Sequence, residues 1–285
     1  MCKEQTISES LEALAVEIAR DARKKELKPI QEEIEPALPH IQIEKKIGAR
    51  IYQVRNTETG DSLAMKLPDA RIPGWREQFK MEARYQAQAA SQGTHVAPVI
   101  SWNENPALIL MHLYEEDLER DRVINLAGET HLFAQAAQAV EQTHRAEIMH
   151  CDIKPGNLML NAEGDIALID FGIAKESGKR EERLGSPYYV APETSTQGIN
   201  NERSDIYNLG CTLYRILTGF PSYLGKDTKE VANAHTENPT PRARTLRPSC
   251  PETLDAVIYR AMQKNPEDRH QTATELREDL ETALH

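Results

Sequence analysis

Apolar residues along this chain change their spacing twice, and the changes divide it. Over residues 6–25, Leu11, Leu14, Ala15 and Ile18 fall on one face at helical spacing, and Thr6 with Glu9 has the form of a capping box. This predicts an amphipathic helix that packs on its own domain or binds a partner. Packing in cis is the commoner fate of a lone apolar stripe. Residues 27–40 hold Pro29, Pro36 and Pro39 among several glutamates. They are expected to form an extended linker, so residues 1–40 stand apart as N-terminal helix and linker.

From Ile41 the spacing shortens. Ile41, Ile43, Ile47, Ile51 and Val54 sit among polar residues, and Leu63-Ala64-Met65 follows the turn Thr59-Gly60-Asp61. This pattern reads as strand, turn and strand. Residues 73–92, rich in Ala, Gln, Glu and Arg, read as a helix, and Val96–Trp102 and Ala107–Leu113 as short strands. Beyond residue 118 helical spacing returns over Leu132–His144, Asp205–Thr218, Leu254–Gln263 and Ala273–Leu284. A hairpin of Leu158–Leu160 and Ile166–Ile169 interrupts these helices. A β-rich lobe with one main helix (41–113), then a mostly α-helical lobe (114–285), is an α+β, two-lobe plan.

Composition narrows the function classes. Of the 285 residues, 39% are apolar and 28% charged, which suits a globular chain and not a disordered one. The formal net charge of −11 argues against non-specific nucleic-acid binding, which needs a basic face. Cys2, Cys151, Cys211 and Cys250 form no CxxC pair and fit neither a zinc site nor a disulfide scaffold. They are expected to be reduced thiols in a cytoplasmic protein. No run of about 18 apolar residues spans a membrane, and the N-terminus lacks the form of a signal peptide.

Candidate chemistry concentrates in His150-Cys151-Asp152-Ile153-Lys154-Pro155-Gly156-Asn157, followed by Asp170-Phe171-Gly172 and Ala191-Pro192-Glu193. Each fixed residue multiplies the odds against chance by roughly twenty, and these stand in one order. The series resembles the eukaryotic-like (Hanks-type) bacterial serine/threonine protein kinase family, from about Ile41 to Leu284. The resemblance implies the two-lobe protein kinase fold. It also implies transfer of the ATP γ-phosphate to a protein serine or threonine, with Mg²⁺, or Mn²⁺ in its place.

Residue by residue, the resemblance makes Asp152 the group that orients the substrate hydroxyl and accepts its proton. Asn157 and Asp170 become the metal ligands, and Lys66 the lysine on the α and β phosphates. Glu82 in Phe79-Lys80-Met81-Glu82 is its helix partner, with Gln86 and Glu77 as alternatives. Lys154, two residues after Asp152, and Ser186 in Gly185-Ser186-Pro187-Tyr188-Tyr189 mark the Ser/Thr class. Ser186 is expected to bond Asp152 and Lys154. For the adenine, Ile47 and Ile51 lie above, Ala64 beside and Met159 below. Met111 is the gatekeeper, and His112 and Leu113 form the hinge. Asp205 would anchor the catalytic loop, and Glu193 with Arg269 would form a buried ion pair.

Two positions depart from the family. The glycine-rich loop reads Ile47-Gly48-Ala49-Arg50-Ile51-Tyr52-Gln53, so only Gly48 remains to let backbone approach phosphate. Arg50 either compensates as a cation or is a solvated turn residue. This departure keeps a pseudokinase or scaffold as the alternative function. Cys151 stands where the family has an arginine that binds a phosphorylated activation-loop residue, and Ile173–Leu184 holds a single hydroxyl, Ser177. Activity is therefore expected to need no activation-loop phosphorylation. Cys151 is expected to be buried, a redox role being the lesser alternative.

Overall fold

The computed structural model describes residues 27–114, 116–118, 126, 130–161, 163–176 and 185–284. The helix expected over 6–25 lies outside these residues, as do 177–184 with Ser177. The chain forms two compact units, one of Met1–Arg76 with Ile100–Leu113, the other of Glu77–Val99 with Tyr114–His285.

In the first unit, α1 covers residues 27–34, where an extended linker was expected. Leu27, Ile30 and Ile34 recur at helical spacing, which Pro29 within the stretch and Pro36 and Pro39 after it conceal in the sequence. Leu27 and Ile34 are buried among Ile41, Tyr52, Val54, Leu63, Met65, Leu108 and Leu110. The Gln31 side chain then fastens the helix, donating from Nε2 to Ile41 O (3.0 Å) and accepting at Oε1 from Ile43 N (2.9 Å). Tertiary contact thus decides the conformation of this stretch.

The strands β1 (Ile41–Lys46), β2 (Ile51–Asn56), β3 (Ser62–Lys66), β4 (Val99–Glu104) and β5 (Ala107–His112) form one sheet in the order β1-β2-β3-β5-β4. Ile47, expected within the strand pattern, lies in the β1–β2 turn and is 43% exposed. Register fixes the two faces. Tyr52 pairs with Met65, which pairs with Leu110, and Val54 pairs with Leu63, so these residues share the face that α1 covers. Ile51 pairs with Lys66, and Ala64 with Met111, so Ile51, Lys66, Ala64 and Met111 share the opposite face.

The second unit contains most of α2 (Trp75–Ala90), together with β6 (Glu116–Asp117), α3 (His131–Arg145), β7 (Ile148–Met149), β8 (Leu158–Leu160), β9 (Ile166–Leu168) and β10 (Lys175–Glu176). It continues with α4 (Pro192–Gln197), α5 (Glu202–Thr218), α6 (Thr228–Glu237), α7 (Ala243–Leu246), α8 (Glu252–Ala261) and α9 (Ala273–Ala283). Tyr85 and Ala89 of α2 enter the same apolar cluster as Phe133, Leu158, Leu209, Leu254 and Leu276. That shared burial explains why α2 groups with later residues. The β8–β9 hairpin pairs Leu158 with Leu168, and β6 lies on its other side.

Helix α5 is the central support. Asn201 caps it, its side chain accepting from Arg203 N and Ser204 N, while Ser204 Oγ accepts in return from Asn201 N. It ends where Gly219 turns at φ +83°. Among the described residues no helix is long and apolar enough to cross a membrane.

Candidate functional site

The loop between β7 and β8 carries His150 to Asn157, and α5 holds it from beneath. Asp205, 1% exposed, accepts from His150 N (2.9 Å), Cys151 N (2.9 Å) and His144 Nε2 (3.0 Å). Burial alone would raise the Asp205 pKa. The hydrogen bond and electrostatic pull of His144 and the Cys151 amide outweigh it, and the carboxyl sits below its usual range. These anchors let Cys151 adopt a left-handed backbone, φ +67°, which non-glycine residues rarely take. Cys151 is buried, with its Sγ 3.6 Å from Met149 O. Thr212 Oγ1 donates to Ile153 O (3.2 Å), a second tie from α5 to the loop.

The Asp152 carboxylate is fixed at both oxygens. Lys154 Nζ lies 2.6 Å from Oδ2, and Ser186 N donates to Oδ1 at 2.7 Å. Lys154 Nζ also donates to Ser186 Oγ (3.0 Å), closing a three-residue ring between the loop and the segment before α4. Asn157 Nδ2 donates to Asp152 O at 2.8 Å. That bond fixes the amide and leaves its Oδ1 facing elsewhere as an oxygen donor.

His150 links this loop to Asp170-Phe171-Gly172. Its Nε2 lies 3.0 Å from Ile169 O and its Nδ1 accepts from Asp152 N (3.3 Å), so Nε2 is the nitrogen that donates. The imidazole meets Phe171 edge-on at 4.8 Å. Asp170 is itself left-handed, φ +66°, and its Oδ1 accepts from Gly172 N (3.4 Å). A cleft of about 280 Å³ opens here, lined by Asp152, Asp170, Gly172, Ile173, Gly185 and Ser186. The side-chain oxygens of Asp170 and Asn157 are both small, hard donors. That suits Mg²⁺, which keeps several waters and takes few protein ligands.

Helix α2 separates its three polar candidates by environment. Glu77 is exposed, and Gln86 is fully buried and donates from Nε2 to Ala97 O (2.9 Å). Glu82 is 5% exposed, its Oε2 3.4 Å from the point where a Cβ on Gly172 would stand. Gln78, which sequence reasoning passed over, donates to Gly172 O at 2.7 Å. Gly185 was also missed as a site residue in its own right. Its need for a missing side chain depends on a contact with residue 151 that no local pattern reveals. Met159 lies on β8 opposite Asp117 and Ala167, partly exposed.

In the first unit, Lys66 and Ala64 stand on β3, Met111 and His112 on β5, and Leu113 just beyond. The β1–β2 turn is closed by Ile47 N and Gly48 N, which both donate to Ile51 O at 2.9 and 3.0 Å. Gly48 needs no left-handed backbone. A Cβ there would press on Ile51 Cβ at 3.3 Å, so the glycine relieves crowding within the turn.

The Glu193–Arg269 pair supports the far side. Arg269, fully buried, gives Nη1 to Glu193 Oε1 and Nη2 to Oε2, both at 2.8 Å. Its remaining donors reach the carbonyls of Gln263, Arg203 and Lys264. Burial would raise the Glu193 carboxyl, but the Arg269 hydrogen bonds and charge bring it below its usual range.

Comparison with known proteins agrees with this architecture. Residues 42–280 match the family described as "Protein kinase domain". The chain is 33% identical over 251 residues to the serine/threonine-protein kinase PknE of Mycobacterium bovis, covering 82% of this chain and 44% of that one. It is 31% identical over 243 residues to PknH of the same organism, covering 79% and 40%. It is 40% identical over 157 residues to PknB of Mycolicibacterium smegmatis, covering 52% and 25%. The chain therefore spans less than half the length of each of these relatives.

Proposed function

This chain belongs to the protein kinase family, and on that premise we propose that it is an ATP-dependent protein serine/threonine kinase. The observation that carries the reading is the Asp152 carboxylate, held by Lys154 and by Ser186 N at the edge of a cleft that Asp170 also lines. An ionised carboxylate offers about four acceptor sites. Lys154, Ser186 and, at 3.4 Å, Asn157 take three, which leaves room for one substrate hydroxyl.

The serine or threonine hydroxyl donates to Asp152 and is thereby aimed into the cleft. Its oxygen bonds to the γ-phosphorus as the bond from phosphorus to the bridging oxygen of ADP breaks, and its proton passes to Asp152 late in the transfer. Lys154, 2.6 Å away, holds the Asp152 carboxylate in place. Asn157 and Asp170 would hold Mg²⁺, or Mn²⁺, and the bound metal neutralises charge on the phosphate oxygens. Lys66 takes the α and β phosphates. Within the first unit, the adenine falls to Ile47, Ile51, Ala64, Met111, His112 and Leu113. The Lys154–Ser186 bond supports the Ser/Thr class, because it ties the peptide-bearing segment to the catalytic loop.

Cys151 supports a further point. A buried thiol at this position cannot pair with a phosphate, so the chain is active without phosphorylation of its activation loop. A second reading, a pseudokinase that binds and scaffolds, draws support from the β1–β2 turn. Two of its amides are already bonded within the turn, which leaves fewer for phosphate. Autophosphorylation with radiolabelled ATP and Mg²⁺ or Mn²⁺, wild type beside Asp152→Ala, separates the two. Incorporation in the wild type alone supports the enzyme, and equal signal from both proteins sinks it.

A further inference from the structure

The β1–β2 turn has lost two of the family's three glycines, yet it is tied down in a way the family pattern does not contain. Ile47 N and Gly48 N are bonded to Ile51 O, and Arg50 O accepts from Leu67 N at 2.9 Å. The amides of Ala49 and Arg50 donate to no acceptor among the described residues. They are the donors that the turn has left.

The Arg50 side chain does not stand in for the missing glycines by reaching phosphate. Ile51 is opposite Lys66, so Arg50 is opposite Leu67, and Leu67 packs against the cluster beneath α1. Alternation along the strand therefore turns Arg50 to the face away from Lys66. There its Nη1 lies 2.6 Å from Asp69 Oδ2, in the segment that follows β3. Asp69 is pinned in turn by Arg71, whose Nε and Nη2 reach Oδ1 and Oδ2, both at 2.9 Å, and whose N reaches Oδ1 at 3.2 Å. The Arg71 hydrogen bonds and the two guanidinium charges, working against desolvation, hold the Asp69 carboxyl well below the usual carboxylate range. A lone surface ion pair fixes little, but a carboxylate shared by two arginines with bidentate geometry is the kind of network that does.

We propose that Asp69 is a positioning residue for nucleotide binding. Through Arg50 it holds the β1–β2 turn rigid, so that the Ala49 and Arg50 amides stay in place for phosphate oxygens. The proposal rests on the reading of the chain as an ATP-binding kinase. The ion pair replaces loop glycines by pre-organisation: a turn held in its binding conformation loses less freedom when phosphate arrives.

The test compares two ligands, ATP with Mg²⁺ and adenosine, titrated calorimetrically into wild type, Asp69→Asn, Asp69→Ala and Asp69→Glu. Loss of the pair should raise the Kd for ATP about fivefold in Asp69→Asn and Asp69→Ala. The Kd for adenosine, which has no phosphate, should stay at the wild-type value, and so should the melting temperature. Asp69→Glu should restore most of the ATP affinity. Unchanged ATP affinity in Asp69→Asn and Asp69→Ala overturns the proposal and leaves the kinase reading standing. Parallel loss of ATP and adenosine with a lower melting temperature overturns it too, by making Asp69 a folding residue. A wild-type protein that binds neither ligand overturns both readings together.

Discussion

Gly185 lies against the carbonyl oxygen of Cys151, so that a Cβ at position 185 would stand 2.4 Å from that oxygen and 3.1 Å from Asp152 Oδ1. The two residues are far apart in sequence, and their contact sets where Ser186 meets the Asp152 carboxylate. Real Cβ atoms do not approach backbone so closely, so any side chain at 185 must push the two loops apart.

Gly185→Ala is therefore expected to reduce kcat by about a hundredfold, the loss that a misplacement of about 1 Å produces in a reacting pair. The melting temperature should move little, because the contact lies at the cleft and not in the core. Steady-state phosphorylation kinetics beside a thermal melt check both halves.

Removing one partner of Glu193–Arg269 leaves the other charge buried and unpaired. Glu193→Ala or Arg269→Ala should each cost about 3–5 kcal/mol of stability. Denaturant unfolding of the two single variants and the double variant measures this. The double should lose less than the sum of the singles, since no lone charge remains in it.

Stability should fall on the acid side in two stages. Burial first, then the Lys264 charge, depresses His235 from 6.5 to about 3. Burial and the Arg260 charge bring His270 from 6.5 to about 4 against the pull of Asp279 and Glu275. In the folded state both bind fewer protons than in the unfolded state, so their contribution is present above pH 6.5 and is lost as pH falls toward 4 and 3. Glu193 and Asp205, lowered from 4.5 and 3.8, add a second loss below about pH 4.5. The melting temperature measured against pH should be level above neutrality and decline from about pH 6.5 downward, with a steeper limb below about pH 4.5. A decline that begins only below pH 4.5 would show that the two histidines protonate in the folded protein.

Gln31 holds α1 to β1 by two hydrogen bonds with the backbone of Ile41 and Ile43. Gln31→Ala should cost about 1–2 kcal/mol in denaturant unfolding. It should also speed hydrogen exchange at the Ile43 amide, which loses its acceptor.

With Cys151 in the arginine position, Ser177→Ala and phosphatase treatment should leave the phosphorylation rate of an added protein substrate unchanged. Loss of activity in Ser177→Ala, restored by Ser177→Asp, would reverse that view. Cys151→Ser should be tolerated. Cys151→Arg should destabilise the protein, because the side chain is 7% exposed and a guanidinium there would be withdrawn from water.

Much of the loop from His150 to Asn157 was legible in the sequence alone. His150 to Asn157 are neighbours in the chain, and the fixed order of the later motifs identifies the family. The main helices were legible too, because Leu132–His144 and Asp205–Thr218 repeat their apolar residues at helical spacing. Each was found within a few residues of its place. Short elements escaped. Helix α4, with only six residues, is too brief to show a period, and α6 carries a weak apolar face.

What the sequence determined by itself is what adjacency and periodicity encode: the family, the order of the longer helices and strands, and the residue types proposed for phosphate transfer. What only the tertiary structure decided is what depends on residues far apart in the chain. Residues 27–34 are helical because a sheet face waits for Leu27 and Ile34. Position 185 must lack a side chain because Cys151 O lies beside it. Arg50 turns away from Lys66 because β2 and β3 are paired in one register, and there it meets Asp69. The physical reason is common to all three: burial, close approach and ion pairing act through space. A linear pattern records only the residues that take part, not the partners they find.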